Sequence, residues 1–272
     1  MSKHIRILFI IFLSVHIYSC TQKTEKQEWT VTQDGEMQWN GYICHNFYYD
    51  GRKTLVVIPK EPAKGNPWIW RPAFFGAYPS VDMALLNKGF HVVFYDVAHS
   101  YGNPKAVASG TNLYNFLANH YQLSPKVTLE GFSRGGLYAF NWAAKNTDKV
   151  ACMYVDAPVC NVFSWPSRKQ QDLWANLLNE WELTDEEMND FKDNPIDNLS
   201  VLAKANIPII AVCGDSDDVV PYKENMEIVY SRYLELGGIV EVILKEGIGH
   251  HPHSLENPEQ IVDFILKYQS YN

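Results

Sequence analysis

The chain has 272 residues, 46% of them hydrophobic, and a formal net charge of −8. That length suits one large domain with a sizeable core, and no low-complexity linker or internal repeat divides it. An acidic balance without a basic cluster excludes nucleic acid as a partner, because such binding rests on neutralising phosphates.

The first nineteen residues read as an export signal. Lys3 and Arg6 give a positive start, and Ile7 to Ile17 is almost wholly apolar before the small Ser19. The apolar run is about half of the roughly 20 residues that span a bilayer, so cleavage is expected rather than a permanent membrane helix. Residues 20–28 are polar and charged, as a tether is. The expected domain then runs over residues 29–272.

Along that domain, strand-like and helix-like segments alternate after an opening hairpin, the pattern of a mostly parallel sheet covered by helices on both faces. Tyr42 to Tyr49 and Leu55 to Ile58, joined by Asp50-Gly51, form the hairpin. Trp68 to Trp70, His91 to Tyr95, Val127 to Glu130, Val150 to Val155, Ile207 to Val212 and Val240 to Leu244 read as buried central strands, which makes about eight in all. Helical patterns cover Val81 to Lys88, Ala106 to His120, Gly135 to Lys145, Lys223 to Leu236 and Pro258 to Tyr268, with Gly89, Gly237 and Gly238 as C-terminal stops. Residues 159–205 break the rhythm with an insertion far longer than an ordinary crossover, which predicts a helical cap. Within it Leu173, Leu177 and Trp181 share a helix face, and Thr184 with Glu187 makes a capping box.

Three motifs carry chemistry. Gly131-Phe132-Ser133-Arg134-Gly135 follows a predicted buried strand and opens a helix, so the turn pushes the Ser133 hydroxyl out above the sheet. A serine hydroxyl needs a neighbouring base, and the base needs an acid to hold its tautomer. Gly214-Asp215-Ser216-Asp217-Asp218-Val219-Val220-Pro221 and Gly247-Ile248-Gly249-His250-His251-Pro252-His253 supply them at the ends of two later strands. Taken singly, the first is an ordinary Asp-rich turn and the second a metal-binding tract or surface loop. Together, in the order Ser, Asp, His, they point to nucleophilic catalysis.

That order on successive strand ends resembles the α/β-hydrolase superfamily of serine esterases. The resemblance implies Ser133 as nucleophile, Asp217 as acid and His250 as base, with Asp215 and Asp218 as loop residues and His99, after the strand His91 to Tyr95, as a rival base or substrate contact. It also implies an oxyanion hole made by the backbone N–H of Arg134 and a second donor from the loop Arg71-Pro72-Ala73-Phe74, with Ala73 or Phe74 as the candidates. Arg71 is expected either to bind substrate or a cap carboxylate, or to form a structural ion pair.

Ile17-Tyr18-Ser19-Cys20 resembles the lipobox of bacterial lipoproteins, which implies an exported protein held to the membrane by a lipid on Cys20; the alternative is an ordinary secretory signal. With Trp165, Trp174, Trp181 and Phe163 in or near the cap and Trp68 and Trp70 opposite, the chain resembles the exported esterases of glycan-degrading bacteria. That resemblance implies a glycan or small-molecule ester as substrate, with Trp165 against it, whereas core packing is the plainer use of several of these rings. A prolyl-oligopeptidase-like peptidase shares the triad, and an inactive glycan-binding protein shares the scaffold. No phosphate-cradling loop, nucleotide fingerprint or cysteine/histidine metal spacing is present, so no cofactor or metal is implied. Cys44 and Cys160 are the pair that could close a disulfide in an oxidising compartment.

Overall fold

The computed structural model describes residues 31–269. The export signal, Cys20 and the tether lie outside the described residues. Nine strands form one sheet: Val31–Trp39 (β1), Tyr42–Tyr49 (β2), Arg52–Val57 (β3), Trp68–Arg71 (β4), His91–Tyr95 (β5), Val127–Phe132 (β6), Val150–Asp156 (β7), Ile209–Gly214 (β8) and Val240–Lys245 (β9). Their order is β1-β2-β3-β5-β4-β6-β7-β8-β9. The pairs β1/β2, β2/β3 and β3/β5 are antiparallel, and every pair from β5 to β9 is parallel.

The strand not foreseen is β1. Its sequence is polar and interrupted by Asp34-Gly35, where the register with β2 shifts, so neither alternation nor an apolar run announces it. It is one edge of the sheet. The other is β9, whose residues are mostly half-buried or exposed, so the expectation that Val240 to Leu244 is a buried central strand is corrected. An edge strand keeps one face and one flank open to water. The hairpin turn follows its sequence: Asp50 (φ 52°) and Gly51 (φ 69°) are both left-handed, as a two-residue turn between twisted strands requires.

Seven α-helices accompany these strands among the described residues: Ser80–Asn87 (α1), Pro104–His120 (α2), Gly135–Lys145 (α3), Gln171–Trp181 (α4), Leu199–Lys204 (α5), Met226–Glu235 (α6) and Glu259–Tyr268 (α7). Helix α2 starts two residues before the apolar pattern does, because Pro104 fits the first turn and Asn103 Oδ1 accepts from Ala106 N at 2.8 Å. No helix among the described residues is long and apolar enough to cross a membrane.

Side-chain alternation along the strands divides the core in two. Trp68 and Trp70 of β4, Met153 and Val155 of β7 and Ala211 of β8 pack with Leu113, Trp142, Leu202 and Val229 from α2, α3, α5 and α6. The intervening Ile69, Cys152, Tyr154, Ile210 and Val212 pack on the opposite face with Leu85 of α1 and Ile261 and Ile265 of α7. Losing one such ring, for example Trp142, costs about 3–5 kcal/mol. Cys44 and Cys160 belong to opposite faces and are free buried thiols, so the disulfide is excluded.

Candidate active site

The sharp turn after β6 is built by crowding. Ser133 sits at φ 48°, an uncommon conformation for a side chain larger than glycine, while its N–H donates to the Asp156 carbonyl at 2.9 Å. Its own carbonyl accepts from Gly136 N and Val159 N, both at 2.9 Å. The flanking glycines are there for space. A Cβ on Gly136 would stand 2.6 Å from Pro158 Cβ, and one on Gly131 would stand 3.1 Å from the Gly136 Cα.

The loops after β8 and β9 are tied together by a backbone and a side-chain hydrogen bond. Ser216 N donates to the Ile248 carbonyl at 3.0 Å, Gly247 N donates to Asp215 Oδ1 at 2.8 Å, and a Cβ on Gly214 would overlap the Ile248 carbonyl oxygen at 2.1 Å. Asp215 is thus the loop residue expected, and Asp218 is exposed. The left-handed glycine that turns the second loop is Gly247 (φ 68°), and a Cβ on Gly249 would make only an ordinary contact, 3.7 Å from the Ser216 carbonyl oxygen.

This tying brings three of the predicted residues together. Ser133 Oγ lies 3.0 Å from His250 Nε2, and His250 Nδ1 lies 2.7 Å from Asp217 Oδ2. The other carboxylate oxygen, Asp217 Oδ1, accepts from Val219 N at 2.9 Å and Val220 N at 2.8 Å. Burial works against the charged form of Asp217, but the hydrogen bond from His250 and the two backbone donors outweigh it and hold the carboxyl below its ordinary value. Ala73 abuts the first turn of α3, since a Cβ on Gly135 would stand 3.1 Å from Ala73 Cβ. Neither the Ala73 nor the Arg134 backbone N–H donates a hydrogen bond among the described residues.

Other predicted residues are placed differently. Arg71 is 1% exposed and engaged by Asp82, by Glu130 at 3.4 Å and by the Ala77 carbonyl at 2.9 Å, over the face of Phe132. No substrate reaches it; a guanidinium beneath the sheet end is a structural ion pair, and the substrate-binding expectation is corrected. His99 is exposed and its Nδ1 lies 3.4 Å from Arg134 Nη1, while the imidazole on Ser133 Oγ is that of His250. The Arg134 side chain lies between two rings, its guanidinium carbon 5.6 Å from the Phe74 centroid and 5.5 Å from the Trp165 centroid. Trp68 and Trp70 are fully buried and Trp165 and Trp174 nearly so, which removes all four as sugar platforms and corrects the expectation that Trp165 lies against the substrate.

The insertion packs as a unit of its own. Val162, Trp165, Trp174, Leu177, Met188 and Phe191 gather on Tyr101, Leu137 and Val220, so residues 162–191 rest on the loops and helix at the carboxyl ends of β5, β6 and β8, whereas α5 packs into the main core through Leu199, Leu202 and Ala203, which shortens the expected cap at its far end. Thr184 and Glu187 do form the reciprocal cap, Thr184 N donating to Glu187 Oε2 at 2.7 Å, but it opens only a single 3₁₀ turn. Two asparagines missed in the sequence anchor the segment: Asn225 Oδ1 accepts from Cys160 N at 2.9 Å, and Asn194 Oδ1 accepts from Val162 N at 2.8 Å.

Also missed was a second histidine–carboxylate pair. Buried His253 places Nδ1 2.7 Å from Asp156 Oδ1, and Asp156 Oδ2 accepts from Ser254 N at 2.7 Å and from the Tyr154 hydroxyl at 3.1 Å. Asp156 closes β7 at the carboxyl end of the sheet, the one signal that could have drawn attention to it. His251 is exposed and stacks on Tyr78; partial burial and the neighbouring His253 and His250 lower its pKa.

A mostly parallel nine-stranded sheet with helices on both faces and a serine at the strand–helix turn defines an α/β-hydrolase. Residues 110–270 match the model of the prolyl oligopeptidase family, and the chain belongs to that family. No curated protein is similar enough in sequence to count as a match. Among solved structures, an acylaminoacyl peptidase from Pyrococcus horikoshii superposes with a TM-score of 0.62 at 14% identity, covering 89% of this chain and 42% of that one. The dipeptidyl peptidase 4 of Porphyromonas gingivalis gives 0.61 at 12%, covering 88% and 35%. An S-formylglutathione hydrolase from Agrobacterium tumefaciens gives 0.60 at 14%, covering 88% and 98%. The chain thus spans less than half the length of these peptidases and nearly all of the length of the Agrobacterium enzyme.

Proposed function

We propose that Ser133, His250 and Asp217 are a catalytic triad that hydrolyses an acyl bond through an acyl-enzyme on Ser133. The observation that carries this is the unbroken chain from Ser133 Oγ through both ring nitrogens of His250 to a carboxylate held by two backbone donors. His250 Nε2 takes the Ser133 proton as Oγ attacks the carbonyl, and Asp217 holds the tautomer and stabilises the imidazolium. The N–H groups of Arg134 and Ala73, without other partners among the described residues, receive the oxyanion. His250 then protonates the leaving group, and a water activated by the same ring frees the acyl group.

The substrate we infer is a carboxylic ester, a carbohydrate acetyl ester in particular, at an exported protein anchored through Cys20. Support comes from Phe74, 39% exposed, and the half-buried Arg134 that follows Ser133, which together offer a ring and a guanidinium to a hydroxylated ring. The family favours a second reading, a peptidase. Rates on p-nitrophenyl acetate, an acetylated xylo-oligosaccharide and an aminoacyl p-nitroanilide separate the two. The ester reading predicts kcat/KM for the acetyl esters at least about 100-fold above the anilide, a difference of about 2.7 kcal/mol in transition-state binding. An anilide preferred to both esters would establish the peptidase.

A further inference from the structure

The loop that supplies the base carries more imidazole than the triad uses. His250, His251 and His253 stand at the corners of a nearly equilateral triangle, their ring centroids 4.9, 4.9 and 4.8 Å apart, and their donor nitrogens lie within 4.8 Å of one another. We propose that these three histidines form a reversible transition-metal site and that Zn²⁺ bound there withdraws His250 from Ser133 and silences the hydrolase.

A tetrahedral Zn²⁺ about 2.0–2.1 Å from three imidazole nitrogens sets those nitrogens about 3.4 Å apart, with ring centroids about 5 Å apart. The centroid triangle is already of that size, so binding asks chiefly for rotation of rings. The two less mobile rings are already oriented as metal ligands are. His250 and His253 each present Nδ1 to a carboxylate at 2.7 Å, Asp217 and Asp156 respectively, which leaves Nε2 as the basic nitrogen of each. A carboxylate behind a ligating histidine fixes ring and tautomer and raises ligand basicity. His251 is exposed, with only a 3.4 Å contact between Nδ1 and the Tyr78 hydroxyl to give up.

Charge and access agree with this. Two carboxylates behind the imidazoles match a dication, and Lys245, which lines the adjoining cleft, donates its ammonium to the Pro252 and Ser254 carbonyls. His253 lines an open cleft of about 450 Å³ shared with Tyr78, Pro252 and Lys245, through which an ion can enter. Imidazole donors without an oxygen cage select Zn²⁺, Co²⁺, Ni²⁺ or Cu²⁺ over Mg²⁺ and Ca²⁺. Because one lone pair on His250 Nε2 cannot both hold a metal and accept the Ser133 proton, metal binding and acylation exclude each other.

The inhibition rests on the triad reading; the metal site does not. EDTA-treated, desalted protein is titrated with ZnCl₂ by calorimetry and with CoCl₂ by visible absorbance, for wild type and for His251→Ala. We expect one Zn²⁺ per chain, a tetrahedral Co²⁺ spectrum, and affinity at least about tenfold weaker in His251→Ala. Esterase activity, each protein normalised to its own rate in EDTA, should fall on adding Zn²⁺ and return with EDTA, at a higher Zn²⁺ concentration for His251→Ala. Equal Zn²⁺ affinity in the two proteins, or no stoichiometric binding, would overturn the site. Binding that depends on His251 but leaves hydrolysis unchanged would overturn the switch.

Discussion

Two histidine–aspartate pairs lie in one loop region, and both close at 2.7 Å between Nδ1 and a carboxylate oxygen. They differ in what the far nitrogen meets. His250 Nε2 reaches Ser133 Oγ at 3.0 Å, and its acid partner leans on two backbone donors of the loop after β8. Among the described residues His253 Nε2 has no such partner, and its acid, Asp156, binds Ser254 N and Tyr154 while its backbone carbonyl holds Ser133 N. In the proposed triad the same pair of side chains serves proton chemistry, and in the other place it braces the turn that carries Ser133. Only the third atom separates them.

The comparison breaks most sharply on activity. His250→Ala should lower kcat/KM by at least about 10³-fold with the fold intact, and Asp217→Ala should be about tenfold milder, whereas His253→Asn should stay within about tenfold of wild type. Steady-state rates on p-nitrophenyl acetate check this; a collapse in His253→Asn matched by a near-normal His250→Ala would reverse the assignment. Stability should sharpen the same contrast from the other side. His253→Asn leaves Asp156 buried without its histidine and should cost about 3 kcal/mol, read as a lower urea midpoint, while His250→Ala at the more open end of the loop costs less.

The central elements were legible because each satisfies a local rule. Gly135–Lys145 begins at a glycine-flanked turn and keeps its apolar face, and β2 and β5 fall where alternation or a continuous apolar run placed them. That Ser133, Asp217 and His250 would meet was legible because the loops that carry them combine glycine spacing with chain order. What escaped depends on distant partners. β1 is polar and owes its existence to β2, so it has no signal of its own. Arg71 stays open between ligand and structural ion pair in the sequence because a strand-end arginine is written the same way whether it faces solvent or Asp82 and Glu130. Asp156 and His253 lie 97 residues apart, and nothing local in either marks the other. For the tryptophans of β4 core packing is the plainer reading of the sequence, and the sheet buries both.

The most direct test of the account is the site of covalent capture. Reaction with a fluorophosphonate, followed by digestion and tandem mass spectrometry, should place a single adduct on Ser133 in the wild-type protein. Labelling should be slowed by at least about 10³-fold in His250→Ala, because the hydroxyl then lacks its base. An adduct on another residue, or undiminished labelling of Ser133 without His250, would contradict it.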